Sequence, residues 1–281
     1  MNVPLKFAVI GHPIAHSLSP RMHTANFQAL GLAASYEAFD IEPADIPQAL
    51  ARFQAEGYLG INVTVPHKIA VKNAMTRLDA SAVRARAVNT VRFESDGTTT
   101  GFNTDMAGFR QPLDARGFPF AQARVVLLGA GGAARAVAAA CLDAGCRNLV
   151  VANRTVEKAA ALVSELAAEG VTACSLDELL AAASERLRPD ASSPLLVVNA
   201  TTVGLKSEDP SVLPSAAFQP GQLVYDLIPV ARETATRAAA RAAGAETLDG
   251  LGMLAAQAAE SFRIWTGQSA NLAAMRASLG G

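Results

Sequence analysis

Residues 123–145 read ARVVLLGAGGAARAVAAACLDAG. A near-continuous apolar run gives way to glycines and then to an alanine-rich stretch, the order of a buried strand, a tight turn and a long helix. Gly129, Gly131 and Ala134 fit G-x-G-x-x-A directly after the strand Val125–Leu128. That context gives the motif its chemistry. Gly129 permits the turn, and Gly131 lets backbone approach a pyrophosphate. In the Gly129-Ala130-Gly131-Gly132 turn, the helix start offers free N–H groups and a positive dipole end to phosphates. A strand–turn–helix of this kind predicts a Rossmann-like dinucleotide domain.

The next strand, in RNLVVANRT (147–155), selects the cofactor. A site for NAD usually ends this strand in Asp or Glu, which binds the ribose 2′-hydroxyl. Here it ends in Asn153-Arg154-Thr155, with no carboxylate at the tip. An arginine can pair with a 2′-phosphate through a charge-assisted fork, and Lys158 lies one helical turn further on. The expected cofactor is NADP(H).

Working outward, strands and helices alternate on both sides. KFAVIG (6–11), Tyr36–Ile41 and residues 61–65 read as strands. Helices are expected from Ser19-Pro20 to Gly31, over Ile46–Gln54 and from about Pro66 to Met75. Ser19 reads as an N-cap with proline at the first helical position. Residues 87–103 hold two short β-like runs around Ser95-Asp96-Gly97, and a helix begins near Thr104. PLLVVNATTVGL (194–205) and QLVYDLI (222–228) give further strands, SERLRPDASSP (184–194) is the most loop-like stretch, and 249–267 is a helix carrying Gln257. The expected class is α/β with mainly parallel sheets, residues 105–249 forming a second α/β domain.

The whole chain excludes several functions. It has 281 residues, 51% hydrophobic and 17% charged, so it can bury substantial cores. Lys+Arg number 24 against 25 Asp+Glu, a net charge of -1. Nucleic acid and anionic membrane are therefore not expected partners. The three cysteines have no paired metal spacing, and no histidine follows His67, so no metal site is expected. The N-terminus lacks a signal-peptide pattern, and no apolar run reaches the length of a membrane helix. A cytoplasmic protein is expected.

INVTVPHK (61–68) raises a separate question. Asn62 and Thr64 alternate with Ile61, Val63 and Val65, giving a strand with one polar face. Lys68 follows in the first turn of a helix, where the dipole disfavours a cation. Such a break with a local rule points to function.

Together with GHPIAHSLSP (11–20), AVNTV (87–91), GFNTDMAGF (101–109), GAGGAARA (129–136), NRT (153–155), NATTVGL (199–205) and DGLGMLAAQA (249–258), this segment resembles the shikimate dehydrogenase family over nearly the whole chain. The resemblance implies a substrate domain of residues 1–104 and 250–281, including a C-terminal helix that returns to it. It also implies an NADP domain of residues 105–249, with the active site in the cleft between the two. The implied reaction is reversible reduction of 3-dehydroshikimate to shikimate by NADPH. Lys68 and Asp105 would be the catalytic acid–base pair. Ser17 and Ser19 would bind the substrate carboxylate, and Asn62, Thr64, Asn89, Asp105 and Gln257 its ring hydroxyls. Gly129–Ala133, meaning Gly129, Ala130, Gly131, Gly132 and Ala133, with Asn153, Arg154, Thr155, Lys158, Thr201 and Gly250, would hold the cofactor. No metal is needed, because Lys68 would supply the electrophile, and a monomer or homodimer is expected. One segment departs from the pattern. After VYD (224–226) the family usually has a tyrosine three residues on and a proline two later, where this chain has Pro229 and Ala231. Three readings stay open: a shikimate dehydrogenase, a relative acting on quinate or another analogue, and a catalytically weak NADP(H)-binding regulator.

Overall fold

The computed structural model describes residues 4–190 and 192–280. Met1 to Val3, Ala191 within the loop-like 184–194 stretch, and Gly281 lie outside the described residues. The chain forms two compact units, one built from residues up to Gln111 with those from Leu254, the other from Pro112–Met253. The divisions fall inside two helices.

The first unit runs β1 (Leu5–Gly11), α1 (Ser19–Leu30), β2 (Ala34–Asp40), α2 (Ile46–Ala55), β3 (Gly60–Val63), α3 (Lys68–Ala74), β4 (Arg77–Leu78), α4 (Ala80–Ala85), β5 (Thr90–Phe93) and β6 (Thr99–Phe102), and ends in α5 (Asp105–Asp114). The second runs β7 (Arg124–Leu128), α6 (Gly132–Asp143), β8 (Asn148–Asn153), α7 (Val156–Leu166), β9 (Val171–Ser175), α8 (Leu176–Ala181), α9 (Ala183–Arg186), β10 (Leu195–Asn199), β11 (Gln222–Asp226), α10 (Ala235–Ala242) and β12 (Glu246–Leu248). Then come α11 (Gly250–Thr266) and α12 (Leu272–Ser278).

The first sheet has the order β2-β1-β3-β5-β6-β4. β1 pairs parallel with β2 and β3, whereas β5 pairs antiparallel with β3 and β6. Both faces are covered, which explains the unbroken apolar run in β1. Ala8 and Ile10 join one core with Ile61, Val63 and Phe53, while Phe7 and Val9 join another with Phe27, Tyr36, Phe262 and Trp265. β3 is therefore buried at every residue. The polar face read from Asn62 does not meet solvent, because it lies on a second interior side.

The second sheet is wholly parallel, with the order β12-β11-β10-β7-β8-β9. In sequence terms this is the 3-2-1-4-5-6 order of a doubly wound dinucleotide fold, whose order reverses between β7 and β10. α6 buries Ala134 and every residue from Ala136 to Leu142, and its alanines let it lie close to the sheet.

Candidate functional site

In the first unit, Lys68 is the first residue of α3 and Asp105 the first of α5. The Lys68 Nζ donates to Asp105 Oδ2 at 2.5 Å, with side chains only 12% and 7% exposed. A carboxylate is favoured at a helix start and an ammonium is not. Pairing the two offsets the cost of the misplaced lysine. The backbone closes the arrangement, since Val88 N–H donates to the Lys68 carbonyl at 2.9 Å.

Asn89, next along the chain from Val88, fixes the carboxylate. Its Nδ2 donates to Asp105 Oδ1 at 2.8 Å and to Thr104 Oγ1 at 3.0 Å. Its Oδ1 accepts from the Thr104 N–H at 2.8 Å and from the Thr90 hydroxyl at 3.0 Å. Gln257, on α11, reaches the same group, its Oε1 lying 3.4 Å from Asn89 Nδ2 and 3.3 Å from Thr104 Oγ1. Ser261 lies one turn beyond Gln257 and is fully buried. Ser261, Thr90, Thr104 and Tyr36 belong to this network, and the sequence alone does not single them out. The i, i+4 spacing of Gln257 and Ser261 on one helix face is the available signal.

Asn62 lies deeper. Its Oδ1 accepts from the Tyr36 hydroxyl at 2.7 Å, and its Nδ2 lies 2.9 Å from Ser261 Oγ. Tyr36 stacks on the His23 ring, centroids 4.2 Å apart and 5° from parallel. His23 is fully buried, and burial lowers its pKa to about 3, so the ring is neutral. Thr64 follows β3, and among the described residues its hydroxyl has no protein hydrogen-bond partner.

Ser17 and Ser19 stand at the start of α1. Leu18 occupies the N-cap position and no side chain caps the helix, so Ser19 is the first helical residue and not its cap. The Ser19 N–H instead donates to Ser17 Oγ at 3.3 Å. Two hydroxyls and helix-start N–H groups suit an anion. Earlier in the same loop, His12 Nδ1 lies 2.7 Å from Asp40 Oδ1, and that hydrogen bond raises the imidazole pKa.

In the second unit, Gly129 directly follows β7 with φ 111°. An added Cβ would lie 3.0 Å from the Ala200 carbonyl oxygen, so the turn needs glycine for both conformation and space. Gly131 occupies the N-cap of α6, where no side chain caps the helix and an added Cβ would meet nothing within 4 Å. Gly132 and Ala133 open the helix with their backbone groups. Ala130 lies between the two turn glycines. Asn153 Nδ2 donates to the Thr155 carbonyl at 2.9 Å, shaping the tip of β8. Arg154 and Lys158 are exposed, and among the described residues neither has a carboxylate partner.

Thr201 follows β10. Its N–H and hydroxyl both donate to Asn199 Oδ1, at 3.1 and 2.7 Å, while Asn199 Nδ2 donates to Asp226 Oδ1 at 2.8 Å. Burial raises the Asp226 pKa, opposed by hydrogen bonds from Thr234 and Asn199. Gly250 begins α11 against Leu227, whose carbonyl oxygen an added Cβ would approach to 2.4 Å. Pro229, in the segment that departs from the family pattern, is half-buried. No metal-binding cluster of His, Cys, Asp or Glu occurs among the described residues, and no helix there is long and apolar enough to cross a membrane.

A shikimate dehydrogenase substrate binding domain model matches residues 9–91, a shikimate / quinate 5-dehydrogenase model residues 113–186, and a shikimate 5'-dehydrogenase C-terminal domain model residues 250–279. The shikimate dehydrogenase (NADP(+)) of Moorella thermoacetica is 45% identical, covering 95% of this chain and 90% of that one. Among solved structures, the shikimate 5-dehydrogenase of Thermus thermophilus, in complex with NADP(H) and shikimate, superposes with a TM-score of 0.84 at 39% identity, covering 98% of each chain. The quinate dehydrogenase of Corynebacterium glutamicum, in complex with NAD, gives 0.86 at 32% identity, covering 99% of each. The chain belongs to the shikimate dehydrogenase family.

Proposed function

We propose that this chain is an NADP-dependent shikimate dehydrogenase that interconverts 3-dehydroshikimate and shikimate. The observation that carries the reading is the largely buried Lys68–Asp105 pair held by Asn89. A polyhydroxylated ring needs short hydrogen-bonding side chains that fix each hydroxyl. Ser17 and Ser19 take its carboxylate, and Thr64, Asn89, Asp105 and Gln257 face its hydroxyls. As the ketone is reduced, negative charge develops on its oxygen, and the Lys68 ammonium donates a proton there. Asp105 orients that ammonium and accepts from a neighbouring hydroxyl. In the reverse direction Lys68 takes the proton back.

The residues of the second unit fit NADP(H), which supplies or receives the hydride. The uncapped start of α6 offers N–H groups to the pyrophosphate. Arg154 and Lys158 offer uncompensated charge to the 2′-phosphate. Thr201 and Gly250 belong to the same cofactor-binding set, and Pro112–Met253 is the cofactor domain.

A second reading keeps the chemistry and changes the ring to quinate. It is favoured by Pro229, which replaces a hydroxyl-bearing side chain, and by the likeness to a quinate dehydrogenase. The test follows NADPH or NADH absorbance with shikimate and quinate, each with NADP and NAD. The proposal expects the highest kcat/KM for shikimate with NADP. Preference for quinate selects the second reading, and no turnover with any pair removes both in favour of a silent NADP(H)-binding protein.

A further inference from the structure

The family resemblance puts Asn62 among the groups that touch substrate. We infer that Asn62 is instead a positioning residue, which acts on substrate only through Asn89 and Asp105. This inference rests on the assignment of Asp105 to the acid–base pair.

The amide's orientation follows from its neighbours. Asn62 Nδ2 lies 3.2 Å from the Asn89 carbonyl oxygen, which only accepts. The nitrogen therefore faces that carbonyl, and the amide oxygen faces the Tyr36 hydroxyl. The two N–H bonds of Nδ2 are then shared among three acceptors: the Asn89 carbonyl, Thr90 Oγ1 at 3.1 Å and Ser261 Oγ at 2.9 Å. No N–H is left for a ligand, and the side chain is almost wholly enclosed, with the residue 5% exposed. Oδ1 accepts from the Tyr36 hydroxyl, and the buried His23 ring, which stacks on Tyr36, also interacts with the Asn62 side chain.

Asn62 therefore ties three elements together at one point. It holds β2 through Tyr36, α11 through Ser261, and the start of β5 through Thr90 and the backbone of the preceding Asn89, whose side chain fixes Asp105. Ser261 completes the bracket. Its hydroxyl donates to the Gln257 carbonyl at 3.0 Å, so its oxygen accepts from Asn62. A shift of the Asn89 carbonyl would move the Asn89 amide, and with it the carboxylate that aims Lys68. Misaiming a proton donor lowers the rate of the chemical step without removing a substrate contact.

The test is a comparison of wild type, Asn62→Ala, Ser261→Ala and the double variant. The readouts are kcat and KM with the preferred acid of shikimate and quinate, that acid's Kd by calorimetry, and thermal unfolding. The expected result for Asn62→Ala is a kcat lower by about tenfold or more, with KM and Kd within about threefold of wild type. Ser261→Ala should move kcat in the same direction by less, and the double variant should lose less than the product of the two single losses, since the side chains share one network. A raised Kd with unchanged kcat would overturn the inference, because it marks a direct contact. If Asn62→Ala does not fold, Ser261→Ala decides by the same split. If wild type turns over neither acid, the functional proposal fails separately. Shikimate Kd then decides the inference: unchanged in the variants it supports positioning, and weakened or absent only in the variants, or absent in all, it overturns it.

Discussion

Lys68 and Arg154 are both cations at the edge of a helix, and the chain treats them in opposite ways. Lys68 is enclosed, paired with Asp105 at 2.5 Å and backed by a closed set of side-chain hydrogen bonds. Arg154 is exposed, next to the Thr155 N-cap of α7, with no carboxylate beside it among the described residues. A group that transfers a proton must stand at a fixed place before substrate arrives, and enclosure provides this. A group that recognises a phosphate can be solvated until the phosphate comes, and a resident carboxylate would compete for it. Changes in the first region should therefore act on rate and stability together. Changes in the second should act on cofactor affinity alone.

The largest effect is expected from Asp105→Asn. It leaves the Lys68 charge enclosed without its counter-ion. The expected kcat loss is on the order of 10²- to 10⁴-fold, with folding stability lower by about 3 kcal/mol. Steady-state kinetics and chemical denaturation read both, and a variant that loses neither would break the contrast from the first side. Arg154→Asp comes next. The Michaelis constant for NADPH should rise by about tenfold to a hundredfold, with kcat at saturation nearly unchanged. The rise should shrink in high salt, as an exposed charge requires. A loss of kcat at saturating NADPH would break the contrast from the second side.

A smaller effect concerns acid. His23 has a folded pKa of about 3 against 6.5 in the unfolded chain. The unfolded chain therefore takes up this proton first as pH falls. The stability held by the neutral ring is complete above about pH 6.5 and is lost progressively towards pH 3. His23→Phe keeps a ring against Tyr36 and removes the proton. Its melting temperature should fall less between pH 7 and pH 4 than that of wild type, whereas Arg154→Asp should keep the wild-type slope. Equal slopes for His23→Phe and wild type would show that the ring is not a source of acid sensitivity.

The legibility of the sequence follows the same division. The glycine turn after β7 and the bare tip of β8 can be read directly, because backbone conformation and exposed charge are local properties. Central strands are equally plain. The short edge strands β4, β9 and β12 are not, since a strand paired on one side and partly exposed carries little apolar periodicity. In the first unit, Lys68 draws attention by breaking a helix rule, and Asp105 comes from the family pattern. Asn62 reads as part of a two-faced strand, and in the structure both faces are covered, with Ile61 and Val63 in one core and Asn62 on the opposite, polar side. A strand covered on both sides can alternate polar and apolar residues when a second buried face is itself polar. Tyr36, Thr90, Thr104 and Ser261 form that face, yet they come from segments far apart in the chain, and only folding brings their hydroxyls together.

The proposed division between an enclosed proton donor and an open phosphate site is tested most directly by Lys68→Ala, with kcat and the NADPH dissociation constant measured on the same preparation. The kcat should fall by at least about a hundredfold while the dissociation constant stays within about twofold. A variant that keeps near-wild-type kcat, or one whose rate falls only because NADPH no longer binds, would contradict that division.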